Sequence, residues 1–259
     1  FNPLIIHVAS LEAAEPLVVF DDHARTLTAT CWPGALTLVL PRREDCAVSL
    51  LAAAGLETLA IRVPAHALAQ RFLEKAGVPI AAPSANRSGT VSSTTADHVR
   101  DSLGGAVDMV LDDGPCQIGL ESTIIDLTEE TPTLLRAGGV TIELLERQIG
   151  EIKIATDDNT TPKAPGLLSR HYATSIPLRM DALELHEGEA LLAFGGRTLG
   201  PAPAICNLSR GGDVKEAAAN LFDMMRQLDK PEFSGIAVMA IPETGLGRAI
   251  NDRLRRASK

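Results

Sequence analysis

From Pro79 to Thr95 the chain reads Pro-Ile-Ala-Ala-Pro-Ser-Ala-Asn-Arg-Ser-Gly-Thr-Val-Ser-Ser-Thr-Thr. An apolar run breaks at Pro83 into small hydroxyl and amide side chains, among them Ser84, Asn86, Ser88, Ser92 and Ser93. Each of these five can donate a hydrogen bond, and the small residues between them let a ligand approach the backbone. Such a segment can hold phosphate oxygens or a ribose without a Walker lysine. Taken alone, the composition favours a solvated Ser-rich loop.

Four other islands keep it company. His7 follows Asn2-Pro3-Leu4, and a lone histidine at a strand edge is more often structural than catalytic. Arg62 sits inside the apolar run Leu59-Ala-Ile-Arg-Val-Pro64, where a charge needs a partner if its face is buried. It is either an outward-facing arginine or a planar fork for a carboxylate ligand. Glu121-Ser122-Thr123 begins an apolar run, as an ordinary strand start or as a way to aim Ser122 into a pocket. Arg136 ends Leu134-Leu135-Arg136 before Ala-Gly-Gly139, where a guanidinium can meet a phosphate or simply cover a turn. No Ser-His-Asp order, HExxH motif or carboxylate-rich metal loop is present. Anion-binding and hydroxyl groups without a clear nucleophile suit an enzyme that positions reactants and stabilises charge, as nucleotidyl transfer requires. The residues alone define an α/β enzyme or binding module for a small anionic or nucleotide ligand.

The elements that must position these groups alternate in type. Strands are expected at Leu36–Leu40, Leu59–Val63, Ile80–Ala82, Val107–Leu111, Ser122–Leu127 and Thr133–Leu135. Helices are expected over Ala65–Ala76, closed by Gly77, and over Thr94–Ser102 with Thr94 and Asp97 spaced for a capping box. A short helix is expected over Thr141–Ile149. This order predicts an α+β arrangement around a twisted mixed sheet over 1–150. Residues 151–175 read as a linker, with the polar stretch Thr156 to Pro162 and then Arg170-His171-Tyr172. From 176 to 259 a smaller Rossmann-like α/β domain is expected. Its strands are Ala190–Phe194, Ala204–Asn207 and Gly235–Ala240, and its helices Asp213–Leu228 and one from about Leu246. In the longer helix Ala217, Leu221, Met225 and Leu228 share a face, and no GxGxxG turn signals a dinucleotide.

With 259 residues, 45% hydrophobic and only 3% aromatic, the core must be built from Leu, Ile, Val and Ala. A net charge of −9 argues against a general nucleic-acid binder. Arg248, Arg253, Arg255, Arg256 and Lys259 read as the solvated face of a last helix. The four cysteines are scattered, as expected of buried cytosolic thiols. No apolar run is long enough for a membrane span, so no membrane association is expected.

In their order the islands resemble the YrdC-type domain of threonylcarbamoyl-AMP synthases. They run Asn-Pro-Leu-x-x-His, Trp-Pro-Gly-x-Leu-Thr, Arg-Val-Pro, Ala-Pro-Ser-Ala-Asn-x-Ser-Gly, Glu-Ser-Thr-Ile-x-Asp and Leu-Arg-x-Gly. Pro165 to Ala173 and Gly245 to Ala257 are similar to the linker and closing helix of the two-domain members. The resemblance implies a nucleotidyltransferase that makes threonylcarbamoyl-AMP and pyrophosphate from L-threonine, bicarbonate and ATP with Mg²⁺. The product would pass to a tRNA-modifying threonylcarbamoyltransferase complex for the t6A modification, with tRNA itself as a further candidate partner, in the cytoplasm.

By the same resemblance His7, Arg62, Ala82 and Ser122 match threonine positions. Asn2, Thr58, Ser84, Ser92 and Arg136 match ATP positions, with Arg62 and Arg136 as the catalytic charges. The linker at Arg170, His171 and Tyr172 would close the site. Family members carry a Lys-x-Arg element before Asn-Pro-Leu, which implies that part of the natural protein lies upstream of Phe1. The rival readings are a non-catalytic nucleotide- or RNA-binding module of the same fold, a carbamoyl-adenylate enzyme of hydrogenase maturation, and a sugar or amino-acid kinase.

Overall fold

In the first half of the chain, alternating side chains build one mixed sheet with two unlike faces. A computed structural model of the chain describes residues 3–155 and 171–259. The elements begin with strand β1 (Ile5–His7), helices α1 (Leu11–Ala14) and α2 (Asp22–Cys31), strands β2 (Leu36–Pro41) and β3 (Thr58–Arg62), helix α3 (Ala67–Ala76) and strand β4 (Ile80–Ala81). Helix α4 (Ala96–Leu103), strands β5 (Thr123–Asp126) and β6 (Thr133–Arg136), helix α5 (Ile142–Ile149) and strand β7 (Lys153–Ile154) follow. Then come β8 (Leu178–Arg179), β9 (Glu189–Ala193), β10 (Ile205–Asn207), α6 (Val214–Leu228), β11 (Gly235–Val238) and α7 (Leu246–Ala257).

The chain divides into two compact units, one from Phe1–Pro83 with Glu121–Leu168 and the other from Ser84–Leu120 with Ser169–Lys259. The first holds a seven-stranded sheet in the order β4-β1-β3-β2-β5-β6-β7. Because successive side chains point to opposite faces, Ile6, Leu36, Leu38, Leu40, Leu59, Ile61 and Ile125 meet on one side. There they join Ala24, Leu27 and Cys31 of α2 and Ile142 and Leu145 of α5 in the main core. The other face carries a much smaller apolar cluster of Ile5, Val39, Ala60, Ile124 and Leu135. Polar residues occupy the remainder of that second face.

The second unit has a four-stranded sheet, β10-β9-β11-β8, in which every pairing is parallel. Ala217, Leu221, Met225 and Leu228 of α6 are all buried, as their spacing requires of a helix with one apolar face. The unit also contains the Ser-rich segment, which the sequence reading grouped with 1–150.

Several expectations are corrected. Val107–Leu111 joins neither sheet, and Met109 and Leu111 are exposed. An apolar run shows β-propensity, but only a neighbouring ladder makes it a strand. Helix α4 is capped by Thr95, whose Oγ1 accepts from the His98 amide at 3.2 Å, and not by Thr94. The C-terminal basic run is not a uniformly solvated face. Arg253 is fully buried, 5.4 Å from the Tyr172 ring centroid, because α7 puts it on the same side as Ala249, Ile250 and Ala257. Cys116 is exposed, while Cys31 and Cys46 are buried. Helices α1 and α2, absent from the sequence reading, begin at Ser10 and Asp21, whose side chains accept from Ala13 and Ala24 amides. Gly77 closes α3 in the left-handed region as expected (φ 63°).

Candidate functional site

Three neighbouring strands place one polar residue each on the second face of the large sheet. His7 of β1 pairs directly with Arg62 of β3. On the other side of β3, the register Leu38↔Ile61 sets Thr37 of β2 beside Arg62 one step further on. The Arg62 Nε donates to the Gly34 carbonyl at 2.9 Å, which fixes the plane of the guanidinium. That carbonyl is presented by the Trp32-Pro33-Gly34 turn, tied down by the Gly34 amide donating to Val63 at 2.8 Å. A side chain at Gly34 would drive into the Cys31 carbonyl, its Cβ 3.1 Å from the carbonyl carbon. The turn thus needs glycine because of close approach, not because of its φ.

Ser122 and Arg136 join the same row through a β-bulge. The register runs Ile124↔Arg136 and then Ile125↔Leu134, so Leu135 is the extra residue. A bulge of this kind turns two successive side chains to one side. Leu134 therefore faces the main core, while Leu135 and Arg136 both face the polar side. Arg136 is buried and grips Ser122, with Nε and Nη2 donating to the Ser122 carbonyl at 3.1 and 2.9 Å and Nη2 to its Oγ at 3.2 Å. The Ser122 Oγ lies 2.7 Å from the Thr37 Oγ1, and both residues are buried. The turn after Arg136 packs backbone to backbone on Glu121–Thr123: the Gly139 amide donates to Glu121 at 3.0 Å and the Val140 amide to the Thr123 Oγ1 at 2.9 Å.

The electrostatics of this row favour an anion. No carboxylate among the described residues lies within ion-pair distance of Arg62. Burial, and then the charge of Arg136, lower its pKa to about 10. A desolvated cation beside a second cation is costly until a negative ligand arrives. His7 is neutral, because burial and the Arg62 charge lower its pKa from 6.5 to about 4. Its Nδ1 lies 3.2 Å from the Ile5 carbonyl, so the neutral ring donates there and leaves Nε2 as an acceptor. Between pH 6.5 and 4 the unfolded chain protonates this ring and the folded one does not, so stability falls as the pH drops through that window. The loss amounts to about 2–3 kcal/mol, allowing for the partly accessible ring. A His7→Gln variant should lose less stability than the parent in urea unfolding between neutral and mildly acidic pH; parallel losses would contradict this.

The other expected site residues are placed as follows. Thr58 is on the same strand as Arg62 but at its far end, about 13 Å away at about 3.3 Å per residue. Ala82 follows β4, and its amide donates to the Ile5 carbonyl at 3.1 Å, next to the His7 strand. Ser84 and Ser92 belong to the second unit, Ser84 exposed and Ser92 buried. There the Ser-rich segment is an ordered turn: the Asn86 Nδ2 donates to the Arg87 and Thr90 carbonyls at 2.9 and 3.1 Å, and the Ser93 Oγ to the Ala85 carbonyl at 2.7 Å. The buried Asn86 Oδ1 has no hydrogen-bond partner among the described residues. Tyr172 is a core residue of the second unit, stacked on Phe222 at 5.4 Å and in edge contact with His171 at 4.1 Å. Asn2 and Arg170 lie outside the described residues. Thr37 and Gly138 lie inside the motifs Trp-Pro-Gly-x-Leu-Thr and Leu-Arg-x-Gly but were given no site role in the sequence reading.

The second face of the mixed sheet thus gathers two cations, a neutral imidazole and a hydroxyl pair beside a small apolar cluster, an arrangement that complements an anionic ligand. The comparisons place the chain more narrowly. Residues 1–138 match the model of the Sua5, YciO and YrdC proteins, described as "Telomere recombination", and residues 140–259 match "Threonylcarbamoyl-AMP synthase, C-terminal domain". The chain belongs to this family. It is 38% identical to the threonylcarbamoyl-AMP synthase of Bacillus subtilis over 99% of its length and 79% of that protein's. It is 41% identical to that of Pyrococcus abyssi, over 99% and 80%. Its structure superposes on Pyrococcus abyssi Sua5 complexed with L-threonine with a TM-score of 0.91 at 38% identity, covering 99% of this chain and 80% of that one. The expected fold class, a mixed α/β architecture of two domains, agrees with that likeness. No helix among the described residues is long and apolar enough to cross a membrane.

Proposed function

We propose that this chain is a threonylcarbamoyl-AMP synthase, a nucleotidyltransferase acting on L-threonine, bicarbonate and ATP. The observation that carries the reading is Arg62: a desolvated guanidinium without a carboxylate partner among the described residues, set between a neutral histidine and a buried hydroxyl pair. An amino acid carries the complement of that row, a carboxylate for Arg62 and N–H or O–H donors for the His7 Nε2. L-threonine adds a side-chain hydroxyl that can pair with Ser122, and Ala82 borders the place.

In the reaction the threonine nitrogen attacks bicarbonate carbon and water leaves, giving a carbamate. A carbamate oxygen then attacks the α-phosphorus of ATP; one P–O bond forms, another breaks, and pyrophosphate departs. No protein nucleophile is required. The chain's part is positioning and charge stabilisation, which is what its cations and hydroxyls can supply. Asn2, Thr58, Ser84, Ser92 and Arg136 are assigned to ATP, and the Asn86 Oδ1 is a further acceptor for the nucleotide. Magnesium would arrive on the ATP phosphates, its usual mode of binding. Arg170, His171 and Tyr172 mark the segment assigned to closing the site, with the Tyr172 ring itself held in the core of the second unit. The product would go to a cytoplasmic threonylcarbamoyltransferase complex that modifies tRNA.

The test supplies the protein with ATP, bicarbonate and a panel of amino acids. Pyrophosphate release that depends on threonine supports the reading; ATP turnover indifferent to threonine overturns it, and ADP in place of pyrophosphate would point to a kinase. Arg136→Ala should lower kcat/KM for ATP by about 100-fold, because it removes the guanidinium assigned to the nucleotide and releases Ser122 from three hydrogen bonds. A normal ATP response in that variant would remove Arg136 from the site.

A further inference from the structure

We infer that helix α6 of the C-terminal region sets nucleotide affinity by clamping the Ser-rich segment, with Arg226 as the positioning residue. This rests on the assignment of Ser84 and Ser92 to ATP. Helix α6 has two working faces. Ala217, Leu221, Met225 and Leu228 fill the core of the second unit. Ala219, Asp223 and Arg226, at i, i+4 and i+7, form a different stripe, and each of them meets the segment 84–120.

At one end Gly119 (φ 71°) approaches so closely that a Cβ there would lie 2.6 Å from the Ala219 Cα and carbonyl oxygen. In the middle the His98 Nε2 lies 3.2 Å from the Asp223 Oδ1. At the other end Arg226 reaches across the segment's backbone. Its Nε donates to the Ser92 carbonyl at 3.2 Å, and its Nη2 reaches the Val91 carbonyl at 2.6 Å and the Ser102 Oγ at 3.0 Å. Carbonyls at 91 and 92 are thereby turned toward α6, and the peptide planes between Val91 and Ser93 are held. A second tie comes from the chain just beyond His171-Tyr172: the Ala173 amide donates to the Gly89 carbonyl at 2.8 Å, and Thr90 bridges to Ala173.

Within the segment Asn86 closes 86–90 and Ser93 returns to Ala85, and Arg226 adds the hydrogen bonds to the Val91 and Ser92 carbonyls from outside it. A loop that must present small hydroxyls to a nucleotide gains affinity from being ordered beforehand, because the ordering entropy is not charged to the ligand. Arg226 touches no reacting atom in this account; it acts through the loop it orders.

The experiment compares Arg226→Gln, Arg226→Lys and Ser102→Ala in the intact protein. Calorimetry reads the Kd of a non-hydrolysable ATP analogue and of L-threonine, and hydrogen exchange reads the amides of 88–95 against those of β9 and β11. In Arg226→Gln the analogue should bind at least about tenfold more weakly, as loss of a charged hydrogen-bond donor implies. Threonine affinity should stay within twofold, and exchange at 88–95 should quicken while β9 and β11 stay protected. Arg226→Lys, with one ammonium for a fork, should fall between, and Ser102→Ala should shift both readings slightly in the same direction.

An unchanged analogue Kd in folded Arg226→Gln overturns the proposal. If that variant loses β9 and β11 protection, Ser102→Ala decides, and wild-type exchange and affinity there overturn it too. If the parent binds no ATP analogue, the nucleotide assignment falls; quickened exchange at 88–95 would then still establish the clamp itself.

Discussion

An Arg62→Ala variant is expected to need about 100-fold more L-threonine for half-maximal pyrophosphate release, with the ATP requirement little altered. The guanidinium is desolvated, fixed in plane by the Gly34 carbonyl and without a carboxylate partner among the described residues. Its Nη groups, not its Nε, are the ones a carboxylate would engage. Truncating one partner of a buried charge pair costs about 2–5 kcal/mol, and the lower half of that range already gives the stated factor. Arg62→Lys should recover only part, because an ammonium cannot both hold Gly34 and fork a carboxylate. Arg62→Ala should also raise the His7 pKa, since the Arg62 charge is one of its two depressing causes. NMR titration of the ring would read that shift, and threonine saturation kinetics the affinity. An unchanged threonine response would remove Arg62 from the substrate site whatever happened to the histidine.

Gly138→Ala is the second substitution with a large expected effect, although it removes no functional group. A Cβ at 138 would lie 2.5 Å from the Ser122 carbonyl carbon and the Thr123 nitrogen, and closer still to the Glu121 carbonyl oxygen. All three are backbone, so nothing there can rotate away, and the strand start must move. Overpacking of this kind costs about 1–3 kcal/mol or more in stability. The displaced residue is Ser122, whose carbonyl and hydroxyl Arg136 holds, and a shift of about 1 Å at such a position can cost about 100-fold in rate. Denaturant unfolding and pyrophosphate release should therefore both suffer. Gly105→Ala, where a Cβ would meet nothing within 4 Å, serves as the neutral control. Parent-like activity in Gly138→Ala would mean that the Ser122 position does not limit the reaction.

Much of the fold was legible because it rests on periodicity. Leu36 to Leu40, Leu59 to Ile61 and the α6 face at Ala217, Leu221, Met225 and Leu228 bury as their spacing requires. Val107–Leu111 failed for the opposite reason: its apolar residues found no strand to pair with. Arg253 failed because charge counts along a chain do not say which side of a helix faces the core. At the site, Arg62 and Arg136 stood out as lone charges in apolar strands, with a ligand-binding and a surface role left open for each. Their partners could not be read, since Gly34 is 28 residues from Arg62 and Ser122 is 14 from Arg136.

The amino-acid order by itself determined the residue types offered as site candidates, the strands that carry most of them and the two kinds of sheet, one mixed and one parallel. Those follow from local rules, side-chain chemistry and hydrophobic period, which act over a few residues. Only the tertiary structure decided that the polar residues share the less apolar face of one sheet, that a bulge at Leu135 turns Arg136 onto it, and that Arg226 holds the Ser-rich segment from more than 130 residues away. Strand register and close backbone approach are properties of pairs of segments, and no single segment encodes them.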